Sequence, residues 1–397
     1  MEEPVRDPRA GVVTEHGNTP PPPHSTPPQG WRPSEGRAPQ HSPPPAWMPP
    51  PAQPGNYGAP PHWGGPQQWG PPPKPPTLPT EPREYPAFWR APGIKAWRPI
   101  LAIILGAIGF FVISMVVTIS AILLSAVITG GSVAEEFLKL TDGIITPTVF
   151  LANSVSLGLL IPLTFLLSRL VGQKGGWLSS VVGRVRWGWL MKCFLVSFLA
   201  VGAFFVIGTS IEGWSELELS LRPGWWLLLI GVLVVTPFQA AGEEYLVRGV
   251  LNRGVASLIP MRTLGAILGA VVSSGVFMLL HGAGDIWLNI TYFTMGMLFS
   301  YLAWRTGGLE AAVAMHAANN LVALVFLPFQ DISDIFNREE GTGDPAVLLQ
   351  LLLLGVAAFI IVIMARRGNI VRATAPASGA PMVPVSPPVF AEPLGLS

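Results

Sequence analysis

From about residue 99 the chain alternates long apolar runs with short polar breaks. The runs fall at roughly 100–127, 146–168, 189–209, 225–248, 262–281, 286–304, 309–328 and 346–365. A helix rises about 1.5 Å per residue, so about 20 residues cross the hydrocarbon core of a bilayer. Backbone groups in lipid must be satisfied inside the segment, and the period-two alternation of a barrel strand is absent. The pattern therefore predicts an all-α, polytopic transmembrane bundle of about eight spans.

Residues 1–90 read differently. They hold 28 of the 43 prolines, in runs such as Pro20–Pro23 and Pro71–Pro73. Proline lacks the amide donor and fixes φ, so this stretch is expected as a disordered Pro/Gly-rich tail, open to a protein partner through Trp31, Trp47, Trp63 and Trp69. The start, Met1-Glu-Glu-Pro, lacks the basic and apolar regions of a signal peptide. The expected division is a tail at 1–90, a transmembrane domain at 98–367 and a flexible C-terminal tail at 368–397.

Loop charges orient the spans. Arg83, Arg90, Lys95 and Arg98 precede the first span, and Arg169, Lys174, Arg184, Arg186 and Lys192 fill the second connection. Arg253 and Arg262 follow the fourth span, Arg305 the sixth, and Arg366, Arg367 and Arg372 the eighth. The intervening connections are mainly acidic: Glu135, Glu136 and Asp142; Glu212, Glu216 and Glu218; Asp285; and Asp331, Asp334, Glu339, Glu340 and Asp344. Lysine and arginine stay on the cytoplasmic side, which puts both termini in the cytoplasm. The expected setting is the plasma (inner) membrane of a bacterium.

Composition sharpens the exclusions. The chain is 50% hydrophobic and 12% charged, whereas a soluble domain is about 25% charged. A single soluble enzyme is excluded. A disulfide-built domain is excluded by the lone Cys193, and the net charge of +1 gives no basic stripe for nucleic acid.

Against this apolar background a few side chains stand out, because a charge deep in a bilayer is a functional hypothesis by default. They are Gln239-Ala-Ala-Gly-Glu243-Glu244-Tyr-Leu-Val-Arg248, Phe277-Met-Leu-Leu-His281 and His316-Ala-Ala-Asn319-Asn320. Only His281 and His316 of the six histidines lie outside the tail. Glu244 and Arg248, at i,i+4, can pair; Glu243 then projects about 100° away with no obvious local partner. His316 and Asn320 share a face in the same way, and Gly282 and Gly284 permit a turn after His281. A Glu base with two His and an amide suits water activation and oxyanion stabilisation. Glu243, His281 and His316 could equally hold Zn²⁺ with one open position, although the His-Glu-x-x-His signature is absent.

Glu-Glu-x-x-x-Arg, Phe-x-x-x-His and His-x-x-x-Asn, in this order in helical spans, resemble the CPBP family: type II CAAX prenyl endopeptidases and their bacterial relatives, also called abortive-infection proteins. Trp304-Arg-Thr-Gly-Gly-Leu adds to the likeness, which covers roughly residues 225–330. The resemblance implies an intramembrane endopeptidase acting on membrane-associated, CAAX-type or lipid-modified proteins. It implies Glu243 as water activator, and His281, His316 and Asn320 as orienting or oxyanion groups beside Glu244 and Arg248. Family members have been described both as metalloproteases and as glutamate proteases, and the glutamate type is favoured here. Two other readings compete: a non-proteolytic immunity or scaffold protein, and a proton-coupled transporter, which would call for an internal repeat that is not seen.

One expectation is geometric. Measured from Leu264, His281 lies roughly 25 Å deep, whereas Glu243 is only about 10 residues before Arg253 and His316 about 7 after Leu309. A tilted fifth helix, or a fourth helix running well past Arg248, is needed to bring the motifs together.

Overall fold

The structure is a computed structural model that describes residues 73–217, 219–379 and 383–384. Among the described residues, eight helices are long and apolar enough to cross a membrane: α1 Trp97–Thr129, α2 Pro147–Val171, α3 Trp187–Glu212, α4 Trp225–Leu258, α5 Arg262–Leu280, α6 Ile286–Thr306, α7 Glu310–Phe329 and α8 Val347–Arg367. The chain is an integral multi-pass membrane protein. Ile108, Phe111, Met115 and Val127 of α1 and Leu352 and Phe359 of α8 are among many large apolar side chains exposed on the protein. An exposed apolar belt of that size calls for lipid rather than water.

Local sequence sets the helix ends and breaks. Thr146 caps α2, accepting from the Val149 amide at 3.3 Å, with Pro147 in the first turn. Pro162 has no amide to offer the carbonyl four residues earlier, and α2 is interrupted at Leu159. In α4, Pro237 follows a π-helical turn at Gly231–Val235, where the Thr236 hydroxyl donates to the Gly231 carbonyl at 3.0 Å. A second π segment, Tyr245–Asn252, begins directly after Glu244.

Close approaches rest on glycine. A Cβ on Gly242 would collide with the Leu157 carbonyl oxygen, so α2 and α4 cross backbone to backbone beside Glu243. Gly307, at φ 71°, ends α6 where the Val371 and Arg372 backbone crowds it.

Parts of both stretches expected as tails, 1–90 and 368–397, are packed or paired. Residues 1–72, with Trp31, Trp47, Trp63 and Trp69, lie outside the described residues. Tyr85, Phe88 and Trp89, however, are buried, and strand β1 (Arg83–Glu84) pairs antiparallel with β2 (Val371–Thr374), which pairs with β3 (Val383–Pro384). The aromatic stretch at 85–89 has too few charges to stay in water, and it packs with Leu178, Val181, Val250 and Leu309. Arg253 reaches into this cluster with its guanidinium 3.9 Å from the Tyr85 ring centroid, and donates to the Trp177 carbonyl at 2.8 Å. A second core joins α3, α6, α7 and α8 around Phe299, Met315 and Leu354.

Candidate active site

Glu243 and Glu244 sit mid-helix on α4. Arg248 Nη1 donates to Glu244 Oε1 at 2.8 Å, and both side chains are fully buried. The rest of the guanidinium lies over aromatic rings, 4.5 Å from Phe277 and 5.2 Å from Phe299. Two groups neutralise one another here in a place water does not reach, which costs far less than burying either alone.

His316, on α7, bonds the same carboxylate: its Nδ1 is 2.9 Å from Glu244 Oε1. A carboxylate with Arg248 beside it accepts, so Nδ1 carries the proton and Nε2 is left free. That free nitrogen lies 3.9 Å from Glu243 Oε2. This is too long for a direct hydrogen bond and short enough for both atoms to contact one water. The imidazole plane is set by Phe299, stacked at 5.1 Å, and Phe277, edge-on at 5.7 Å.

Glu243 does have a local partner, contrary to the sequence expectation. Gln239, one turn earlier, donates to its Oε1 at 2.5 Å, and Asn320 Nδ2 donates to Gln239 Oε1 at 3.3 Å. Asn319 and Gln350 extend the chain: Asn319 donates to Asn320 Oδ1 at 3.2 Å and Gln350 donates to Asn319 Oδ1 at 2.8 Å. An amide row from α8 through α7 thus ends on Glu243. Gln239 signalled itself in the sequence as a polar residue at i−4 from Glu243; Gln350 gave no such signal, because only folding places it near α7.

His281 is the C-cap of α5, before Gly282 at φ 63°. Its Nδ1 donates to the Phe277 carbonyl at 2.7 Å, leaving Nε2 as the free atom. The ring stacks on Tyr292 at 3.9 Å. Glu243, His281, His316 and Asn320 line one cleft of about 550 Å³. Among the described residues, no three His, Cys, Asp or Glu side chains are grouped to hold a metal ion, and the Phe277 ring contacts both imidazoles. The zinc set Glu243, His281 and His316 does not form a ligand cage in this arrangement.

The depth problem resolves at the basic end of the bundle. Helix α4 continues ten residues past Arg248, to Leu258. Leu309, just before α7, packs level with Gly249: a Cβ there would lie 3.6 Å from it. The Leu309 amide donates to the Ser179 carbonyl at 2.8 Å, and Arg186 clamps Glu310 at 2.6 Å. Helix α7 therefore starts well inside the bundle, and seven residues bring His316 to the level of Glu244.

The connection after α7 arches over the cleft. Arg338 lines its mouth, and the Gly284 amide donates to the Arg338 carbonyl at 2.7 Å. Asp285 fastens both sides, with its carboxylate accepting from the Trp287 and Leu288 amides at the start of α6 and from Gly341 in the arch. Those amides, Leu288 first, hold its carboxyl below the usual carboxylate range despite burial.

Residues 223–322, which contain all three motifs, match the family model described as type II CAAX prenyl endopeptidase Rce1-like. Over 152 residues the chain is 28% identical to the uncharacterized protein YyaK of Bacillus subtilis (strain 168), covering 36% of this chain and 49% of YyaK. The chain thus spans about half the length of that curated relative. No solved structure matches the chain.

Proposed function

We propose that the Rce1-like domain is an intramembrane endopeptidase that hydrolyses a peptide bond of a membrane-associated protein with a water activated by Glu243. One observation carries the reading: Glu243 Oε2 and His316 Nε2 face each other at 3.9 Å in the cleft, backed by the buried Glu244–Arg248 pair. Glu243 takes the proton of a water held between them, and the hydroxide attacks the scissile carbonyl. The proton passes from Glu243 to the leaving amine, so the acid and base steps share one carboxyl. Glu244 fixes the His316 tautomer, and Arg248 holds the Glu244 carboxylate in place behind it. With its proton on Nδ1, His316 accepts the other O–H of that water at Nε2 and orients it for attack, and His281 presents its free Nε2 to the same cleft. Asn320 acts through Gln239, which sets the rotamer of Glu243.

The membrane setting supports the same reading, since the polar row lies in an apolar bundle where a soluble substrate has no route. We read the chain as a bacterial plasma-membrane protein with both termini cytoplasmic, on the distribution of its lysines and arginines. The test is a comparison of membrane-protein termini in cells carrying the wild type, Glu243→Ala or His316→Ala. New termini in the wild type that vanish in both variants support proteolysis; identical termini in all three would defeat it and leave a scaffold role.

A further inference from the structure

The cleft around Glu243 reaches one side of the bundle only. Its lining includes Phe150 in the first turn of α2, His281 at the end of α5, Leu288 in the first turn of α6, Val347 at the start of α8, and Phe336 and Arg338 in the arch. All six lie at helix ends or connections on one side. Toward the other side Tyr85, Phe88, Trp89, Leu178 and Leu309 close the bundle, with Arg253 buried among them. The two sides differ in charge. Lys139, Arg222 and Arg338 are the lysines and arginines of the mouth-side connections, against acidic residues that outnumber them. The closed side carries Arg90, Lys95, Lys174, Arg184, Arg262, Arg305, Arg366 and Arg367. Such a bias orients membrane proteins with the basic side in the cytoplasm.

We propose that the cleft opens to the extracytoplasmic side, so that its substrate is a membrane-protein segment whose scissile bond lies in the outer half of the bilayer. The proposal rests on the protease reading for the word substrate and on charge and cleft geometry for the side. It separates this domain from work on a cytoplasmic C-terminal tail. Such a tail would meet the packed Tyr85–Arg253 layer before it reached Glu243. A segment on the outer side meets only the arch, held down by Asp285 and by the Gly284 amide.

The full-length chain in membrane vesicles tests this with a membrane-impermeant maleimide. Its own Cys193 is buried, so an introduced thiol is read directly. Asn153→Cys reports the cleft, Glu340→Cys the exposed arch and Lys174→Cys the exposed basic side. Expected is labelling of Asn153→Cys and Glu340→Cys in right-side-out vesicles, with Lys174→Cys labelled in inverted vesicles alone. Labelling of either mouth-side thiol in inverted vesicles alone overturns the proposal. So does an Asn153→Cys that is labelled in neither while Glu340→Cys is labelled. The thiol readout needs no turnover: outward labelling with no Glu243-dependent cleavage defeats the protease reading and keeps the sidedness, and inward labelling with intact cleavage does the reverse.

Discussion

His316 is gripped from behind by a carboxylate that solvent does not touch, and the consequences can be measured one side chain at a time. Arg248→Met leaves Glu244 buried without its cation, which is expected to destabilise the fold by about 3–5 kcal/mol. The double variant Glu244→Gln, Arg248→Met should recover most of that loss in a thermal melt in detergent, because no charge is then stranded. Glu244→Gln alone presents an amide that can donate to Nδ1, favouring the wrong tautomer of His316. Cleavage should fall by about 10²- to 10⁴-fold with little change in melting temperature. At this scale the sequence was informative wherever spacing speaks: the i,i+4 pair of Glu244 and Arg248 is present at 2.8 Å. It was silent on Glu244 binding His316, a contact between residues 72 positions apart, and it missed Gln239 as the partner of Glu243.

Each helix was legible because membrane thickness imposes a length, and all eight predicted runs correspond to helices. What the pattern could not convey was how deep a helix starts. The turn before α7 is apolar and glycine-rich, so it looks like a surface connection, yet it is drawn inward to Ser179 and Gly249. Gly242 belongs to this scale too. Gly242→Ala drives a methyl into the Leu157 carbonyl, and backbone must move to admit it. A cost of about 1–3 kcal/mol is expected in a detergent melt, with loss of cleavage because the neighbouring residue is Glu243.

The arch supplies a pH dependence. The Asp285 carboxyl is held low in the folded chain, so its contribution is complete above the unfolded value of about 3.9 and is lost as pH falls below it. Hydrogen exchange at Gly341, corrected for its intrinsic rate, should accelerate in that acid range. In Asp285→Asn the acid step should disappear, since no carboxyl remains to titrate.

For the whole molecule, the surprise is the segment before α1. Its prolines suggested a spacer, but the last aromatic stretch is core, tied to the far end of the chain by β1 and β2. Arg372 and Trp304 both bond Glu84 there. A chain starting at residue 92 should melt well below one starting at residue 73, and Tyr85→Ala should account for about 3–5 kcal/mol of the difference. Composition concealed this because proline frequency changes gradually across residues 70–90, whereas burial becomes continuous from Tyr85 to Trp89.

That buried layer also bears on electrical insulation. Hydrolysis in a bilayer requires water at Glu243, and a wet path through an energised membrane would short-circuit the ion gradients on either side. In this bundle the cleft runs from one face to the polar row, and the aromatic floor of Tyr85, Phe88 and Trp89 is packed on the other side. The cleft is a dead end: it can admit water for the proposed hydrolysis while the remaining thickness of packed protein still holds the membrane voltage.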